Sequence, residues 1–107
     1  MLNPELIPAI NKDFSLQLSE ASNQDQLLID LALYINHLIK TDFNKLLTLL
    51  YRIDVNENKL KNLLKEKPND NAGELIAQLI IERQLQKIKT RWEFSQRDTN
   101  FTEEELL

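Results

Sequence analysis

The sequence predicts an all-α fold: a single compact bundle of four main helices, a short N-terminal helix before them and a flexible acidic tail after them. Three observations lead there. The 107 residues include 21 Leu and 10 Ile against one Val, a balance that favours helix over sheet. One glycine in the whole chain leaves little material for the tight turns of a β protein. Apolar residues recur mostly three and four apart, the spacing that lines one side of a helix. A chain this long supports one continuous core, so residues 1–94 form one helical domain and residues 95–107 a mobile acidic tail.

A first helix is expected over residues 3–12. Asn3 suits its cap, Pro4 the first helical position and Glu5 the first turn, where the helix dipole favours an acid. Pro8 lies close enough to that start to be tolerated. Leu6, Ile7 and Ile10 would then face inward. Phe14, Leu16 and Leu18 alternate with polar residues and read as an extended strap, since no second strand is available to pair with them.

Ser22 followed by Asp25 resembles a capping box and starts a second helix over 22–40, with Leu27, Leu28, Leu31, Ile35, Leu38 and Ile39 as a wide apolar stripe. Thr41-Asp42 offers a new cap. The third helix, bearing Phe43, Leu46, Leu47, Leu49, Leu50 and Ile53, is apolar nearly all round and is expected in the middle of the protein. Asp54 with Glu57 reads as the cap of a fourth helix over 55–66, closed by Lys67-Pro-Asn-Asp70. Asn71 with Glu74 repeats the pattern and opens the longest helix, 72–94, apolar on most sides at first and narrowing to Leu85, Ile88 and Trp92. Ser95 to Leu107 has no lasting period.

Charge is arranged in blocks: −4 over residues 1–58, +4 over 59–97 and −4 over 98–107. The overall −4 argues against a dedicated nucleic-acid binder, which needs a cationic field, and the alternation permits attraction within a chain or between copies. The absence of cysteine excludes disulfides, thiolate metal sites and Cys catalysis. No apolar run approaches the roughly 20 residues that span a bilayer. The start Met1-Leu-Asn-Pro-Glu5 lacks the basic and apolar pattern of a signal peptide, so a cytoplasmic location is expected.

Tyr51-Arg-Ile-Asp-Val55, together with Leu79-Ile-Ile-Glu-Arg-Gln-Leu-Gln-Lys87 and Thr90-Arg91, resembles a small bacterial family of helical proteins of unknown function. The resemblance covers roughly residues 25–92. It implies a compact helical domain and carries no activity, cofactor or site residue with it.

Several motifs resolve into structural readings. Asp54-Val-Asn-Glu-Asn58 begins like a calcium loop, but Lys59 stands where the turn glycine belongs and Lys65 where a bidentate Glu must close the site. His37, the only histidine, has no His or Glu one turn away to complete a metal pair. Leu46-Leu-Thr-Leu-Leu50 matches a groove-docking pattern but falls on expected core positions. Asn100-Phe-Thr102 is a glycosylation sequon that matters only with export. No Gly-rich phosphate loop, metal cluster or nucleophile elbow is present, so no enzymatic activity and no cofactor are expected.

Two constellations remain. Ile81, Leu85, Ile88 and Trp92 follow the 4-3-4 spacing of a coiled-coil seam, with Arg83, Lys87 and Arg91 as a basic stripe beside it. These seven residues are the candidate partner-binding surface, because Trp and Arg commonly anchor interfaces; the competing reading has the first helix or the strap cover the seam. Arg52, Asp54 and Glu82, with Arg83, are candidates for ion pairing or capping between the third, fourth and fifth helices. Glu103–Glu105 would fold over the basic stripe and shield it. The expectation is a cytoplasmic, non-enzymatic interaction or self-association module, binding another copy or another protein and no membrane. The alternative is a small regulatory nucleic-acid binder using a helix-turn-helix-like pair at 43–66. Its Lys59, Lys61, Lys65 and Lys67 would supply the charge, although the turn lacks Gly and Glu57 opposes phosphate.

Overall fold

The computed structural model describes residues 3–66 and 71–106, with side chains described to residue 95. Five helices and no strand occur among the described residues: α1 (Leu6–Phe14), α2 (Gln24–Thr41), α3 (Phe43–Arg52), α4 (Glu57–Glu66) and α5 (Ala72–Leu106). The all-α class follows from the sequence as expected. The segment Lys67–Asp70, expected as a turn, lies outside the described residues.

The helix starts show how local chemistry sets the elements. Asn3 does not cap α1: Glu5 holds the cap position without a side-chain bond, while Asn3 closes the preceding turn, its Oδ1 accepting from the Glu5 N–H at 2.8 Å and its carbonyl from the Leu6 N–H, so α1 begins two residues later than Pro4 suggested. Pro8 falls in the first turn, where its missing N–H costs nothing. At the other end Ser15 takes a left-handed conformation (φ 55°), and the N–H groups of Ser15 and Leu16 converge on the Asn11 carbonyl. The strap that follows is held by Asn11, whose side chain donates to the Leu18 carbonyl at 3.0 Å and accepts from the Leu18 N–H at 2.9 Å. Leu16 and Leu18 are thereby laid against the core.

Asn23, not Ser22, caps α2: its Oδ1 accepts from the Gln26 N–H at 2.8 Å. Asp42 caps α3 in the same way through the Lys45 N–H at 3.1 Å. Asp54 does not cap α4. It sits in the left-handed region (φ 61°) immediately after α3, while the Val55 N–H closes back on the Leu50 carbonyl, and Asn56 takes the capping role by accepting from the Lys59 N–H at 3.0 Å. The reason is spatial order: an Asp that ends one helix in a left-handed turn cannot also adopt the extended backbone of a cap.

The core is built on α2 against α5, the largest interface of the molecule. Leu27, Leu31, Ile35 and Leu38 of α2 meet Ile76, Ala77, Ile80 and Ile81 of α5, with Leu6 and Ile10 of α1 and Leu46 and Ile53 from α3 and its end closing the sides. Each buried Leu or Ile contributes about 1.5–3 kcal/mol relative to exposure. Two facts of packing correct the sequence reading. α3 is peripheral, since it packs chiefly on α2 and leaves Phe43, Leu47 and Tyr51 exposed along one stripe, Tyr51 at 89%. α4 rests on α5 with no buried residue of its own.

At the α2–α5 crossing the single glycine is required by space. A Cβ on Gly73 would stand 2.4 Å from Asn36 Oδ1 and 2.7 Å from the Ala32 carbonyl oxygen. The gap is used: Asn36 Oδ1 accepts from the Gly73 N–H at 3.1 Å, and Asn36 Nδ2 donates at 2.9 Å to Asn71 Oδ1, which itself accepts from the Glu74 N–H. Two otherwise unpaired donors at the start of α5 are satisfied by one residue of α2 and one local cap.

α5 continues as helix to Leu106, beyond the expected end at residue 94. Contacts from α1 reach it at Arg91 and Trp92, so the stretch after Trp92 extends about 20 Å further at 1.5 Å per residue. The molecule measures 58 × 32 × 23 Å with a radius of gyration of 16.3 Å, against about 13 Å for a rounded domain of this length.

Candidate functional site

The seam expected along α5 divides into two strips. Ile88 is 3% exposed and Ile81 is also buried, whereas Leu85 is 37% exposed and Trp92 57%. Residues four apart on a helix are displaced by about 40°, which is enough for the cover given by α1 and the core to take in 81 and 88 but not 85 and 92. The structure therefore brings Ile81 and Ile88 into the protein's own core and leaves Leu85 and Trp92 at the surface. Phe94 is also 60% exposed, on the other side of the helix from them, and every described residue from Arg91 to Ser95 is exposed.

Trp92 is oriented, though uncovered. Its indole Nε1 donates to Glu5 Oε2 at 2.6 Å, and Arg91 Nη2 stands 3.6 Å from Glu5 Oε1, so one carboxylate from the start of α1 fixes both side chains. An aromatic ring held by its polar edge, with much of its surface in solvent, is the arrangement that anchors interfaces at low ordering cost.

The basic stripe is less uniform than its spacing suggests. Arg83 is committed within the protein: Nε donates to the Ile53 carbonyl at 3.0 Å, Nη1 to Gln86 Oε1 at 3.2 Å, and Nη2 lies 3.5 Å from Asp54 Oδ2. It thereby ties the carbonyl end of α3, where a cation is favoured, to α5. Lys87 is half-buried and Arg91 exposed. Together with Thr90, Phe94 and Ser95 these three line an open hollow of about 470 Å³ on this side of α5.

The ion-pair constellation forms in part and at the surface. Arg83 meets Asp54, but Glu82 pairs with Lys59 of α4, and Arg52 turns to α1, donating to the Asp13 carbonyl at 3.3 Å. Asp54 is exposed rather than buried, so these pairs fix register weakly, each worth about 0–1 kcal/mol. A second hollow of about 530 Å³ lies among Asp54, Asn56, Lys59, Glu82, Arg83 and Gln86; five of those six side chains are already paired with one another.

Sequence reasoning missed Gln84. It is 2% exposed, and its Nε2 donates to Asp13 Oδ2 at 2.7 Å, linking the middle of α5 to the end of α1. The signal was present: Gln84 lies four residues from both Ile80 and Ile88, on the core face. The LxxLL leucines Leu46, Leu49 and Leu50 are buried and Leu47 is exposed, so the string serves packing. His37 is exposed on α2, and among the described residues no group of three or more His, Asp or Glu could hold a metal ion. Lys59 and Lys61 of the helix-turn-helix-like segment are paired with Glu82 and Glu57, and α3 and α4 pack chiefly on different helices. Among the described residues no helix is long and apolar enough to cross a membrane.

Compared with models of protein families, with characterised proteins and with solved structures, the chain matches none.

Proposed function

We propose that the chain is a cytoplasmic protein that works by binding another polypeptide, in the first instance a second copy of itself, along the C-terminal half of α5, and that it carries out no reaction. The observation that supports this most directly is Trp92, more than half exposed although its indole is held by Glu5, on a helix that runs on past the packed body, with Phe94 exposed on another side of the same helix. Leu85 extends the apolar strip, Glu5 orients the indole, and Lys87 and Arg91 supply charge beside it. Exposed apolar strips rimmed by charge characterise protein-binding surfaces.

The test is sedimentation velocity of the full chain at tens of micromolar, with quenching of the single tryptophan followed over the same concentrations. Self-association is expected, with Trp92 becoming less accessible as concentration rises and the W92A/F94A variant remaining monomeric. A strict monomer with unchanging quenching, or a dimer that the double variant leaves intact, would overturn the assignment to this surface.

A further inference from the structure

α5 runs unbroken to Leu106, so its acidic end does not fold back over the basic stripe, the shielding expected from sequence. The complement of that charge lies earlier on the same helix. From Ala72 to Glu82 α5 carries two acids and no base; from Arg83 to Trp92 it carries four bases and no acid. α2 adds to the acidic half, since Gln24–Ile39 holds Asp25 and Asp30 and no Lys or Arg.

Glu74, Gln78, Glu82, Leu85, Lys89 and Trp92 are spaced three or four apart and share one face of α5, and all six are exposed. At its acidic end that face meets an apolar surface. Ile29 and Leu33 of α2, 53% and 64% exposed, line with Leu28, Ala32 and Glu74 a hollow of about 180 Å³. A cavity of about 150 Å³ takes up benzene, so this hollow has room for one aromatic ring. The chain's own Trp92 does not reach it, standing 18 residues beyond Glu74, about 27 Å along the rod.

A second copy does reach it. Two α5 helices run antiparallel about a two-fold axis near residue 83 set 74 opposite 92, 78 opposite 89 and 82 opposite 85, each twice. Trp92 of each copy then enters the hollow of the other. Lys89, which makes no ion pair among the described residues, stands opposite Gln78, one turn from both Glu74 and Glu82. Glu82 pairs with Lys59 of its own chain, leaving Glu74 open to Lys89. Parallel pairing in register would instead set Lys89 and Glu74 each against its own copy, and like charges repel.

We infer that two copies associate through an antiparallel pairing of the exposed α5 face from Glu74 to Trp92, with the indole of each seated against Ile29 and Leu33 of the other. This rests on the self-association reading and supplies its register and the surface that receives Trp92. Every contact is made twice about the axis, so assembly closes at a dimer, and its affinity falls with salt because the contacts flanking the indole are ionic.

Sedimentation velocity of the full chain, with quenching of Trp92, tests this through three variants at exposed positions. K89E and E74K are each expected to weaken the dimer about tenfold or more at low salt, as two attractive contacts become repulsive. Their equimolar mixture should form a heterodimer about as tight as the wild-type dimer, since both contacts again join opposite charges. L33E, on α2, should also weaken the dimer and leave Trp92 as open to quencher at high concentration as at low. Far-UV circular dichroism and thermal melting check that each variant folds as the wild type does. If the wild-type chain dimerises but L33E does not weaken it and the mixture shows no preference for the heterodimer, this pairing is overturned while self-association stands. Assemblies that grow beyond a dimer overturn the two-fold register in the same way, and a wild-type chain that stays monomeric overturns both readings.

Discussion

Replacing Gly73 with alanine should destabilise the protein far more than a helix glycine ordinarily would. The added methyl stands 2.4 Å from Asn36 Oδ1, 2.5 Å from its Cγ and 2.7 Å from the Ala32 carbonyl oxygen. Asn36 can rotate away, but only by giving up its bonds to the Gly73 N–H and to Asn71 Oδ1, about 1 kcal/mol each. The Ala32 carbonyl is α2 backbone and yields only if the two central helices separate, an overpacking cost of about 1–3 kcal/mol. Alanine's better helix propensity offsets at most about 1 kcal/mol. The expected loss is about 2–4 kcal/mol, or a fall in Tm on the order of 10–25 °C for a domain of this size. Urea denaturation followed by circular dichroism measures it. The N36A/G73A double variant should show a coupling of about 1–2 kcal/mol, because the same two hydrogen bonds are lost once rather than twice. A G73A protein as stable as wild type, or more so, would refute the close approach of α5 to α2 at this point.

Three further outcomes are expected. Gln84→Ala should cost about 2 kcal/mol in urea titration, since it removes a buried side chain and its bond to a carboxylate, and its effect should be non-additive with Asp13→Ala. Asp54→Gly should change stability by no more than about 1 kcal/mol in either direction, whereas Asp54→Val should cost about 1–2 kcal/mol, because the left-handed backbone suits Gly and penalises a β-branched residue while the ion pair to Arg83 is exposed; equal stability of the two variants would contradict this. Backbone amides of α4 should exchange with solvent well before those of α2 and the first half of α5, since no α4 residue is buried. Hydrogen exchange resolved by segment decides that point.

Much of the element order was legible from local chemistry. Asp42 and Asn71 act as the caps their neighbours Lys45 and Glu74 require, and the Leu27, Leu31, Ile35, Leu38 stripe faces the core. The misses share a cause. Asn23 displaces Ser22, and Asn56 displaces Asp54, because several residues at a helix start are chemically competent and the path of the preceding turn selects among them. α3 looked central because it is apolar on nearly every side, yet Phe43 and Leu47 stay about half exposed and Tyr51 almost wholly so. Of the candidate surface, the spacing of Ile81, Leu85, Ile88 and Trp92 was visible; which two of the four the core would claim was not.

Sequence alone determined that this chain is helical, roughly where each helix begins and where its charges lie, since propensity, capping and apolar spacing act over a few neighbouring residues. Tertiary structure decided that α2 and α5 form the centre, that Gln84 is buried against Asp13, and that Trp92 is held by Glu5 yet left open to solvent. Those outcomes join residues as far as 87 positions apart, and they depend on which surfaces fit when the helices meet, a competition that no local pattern records.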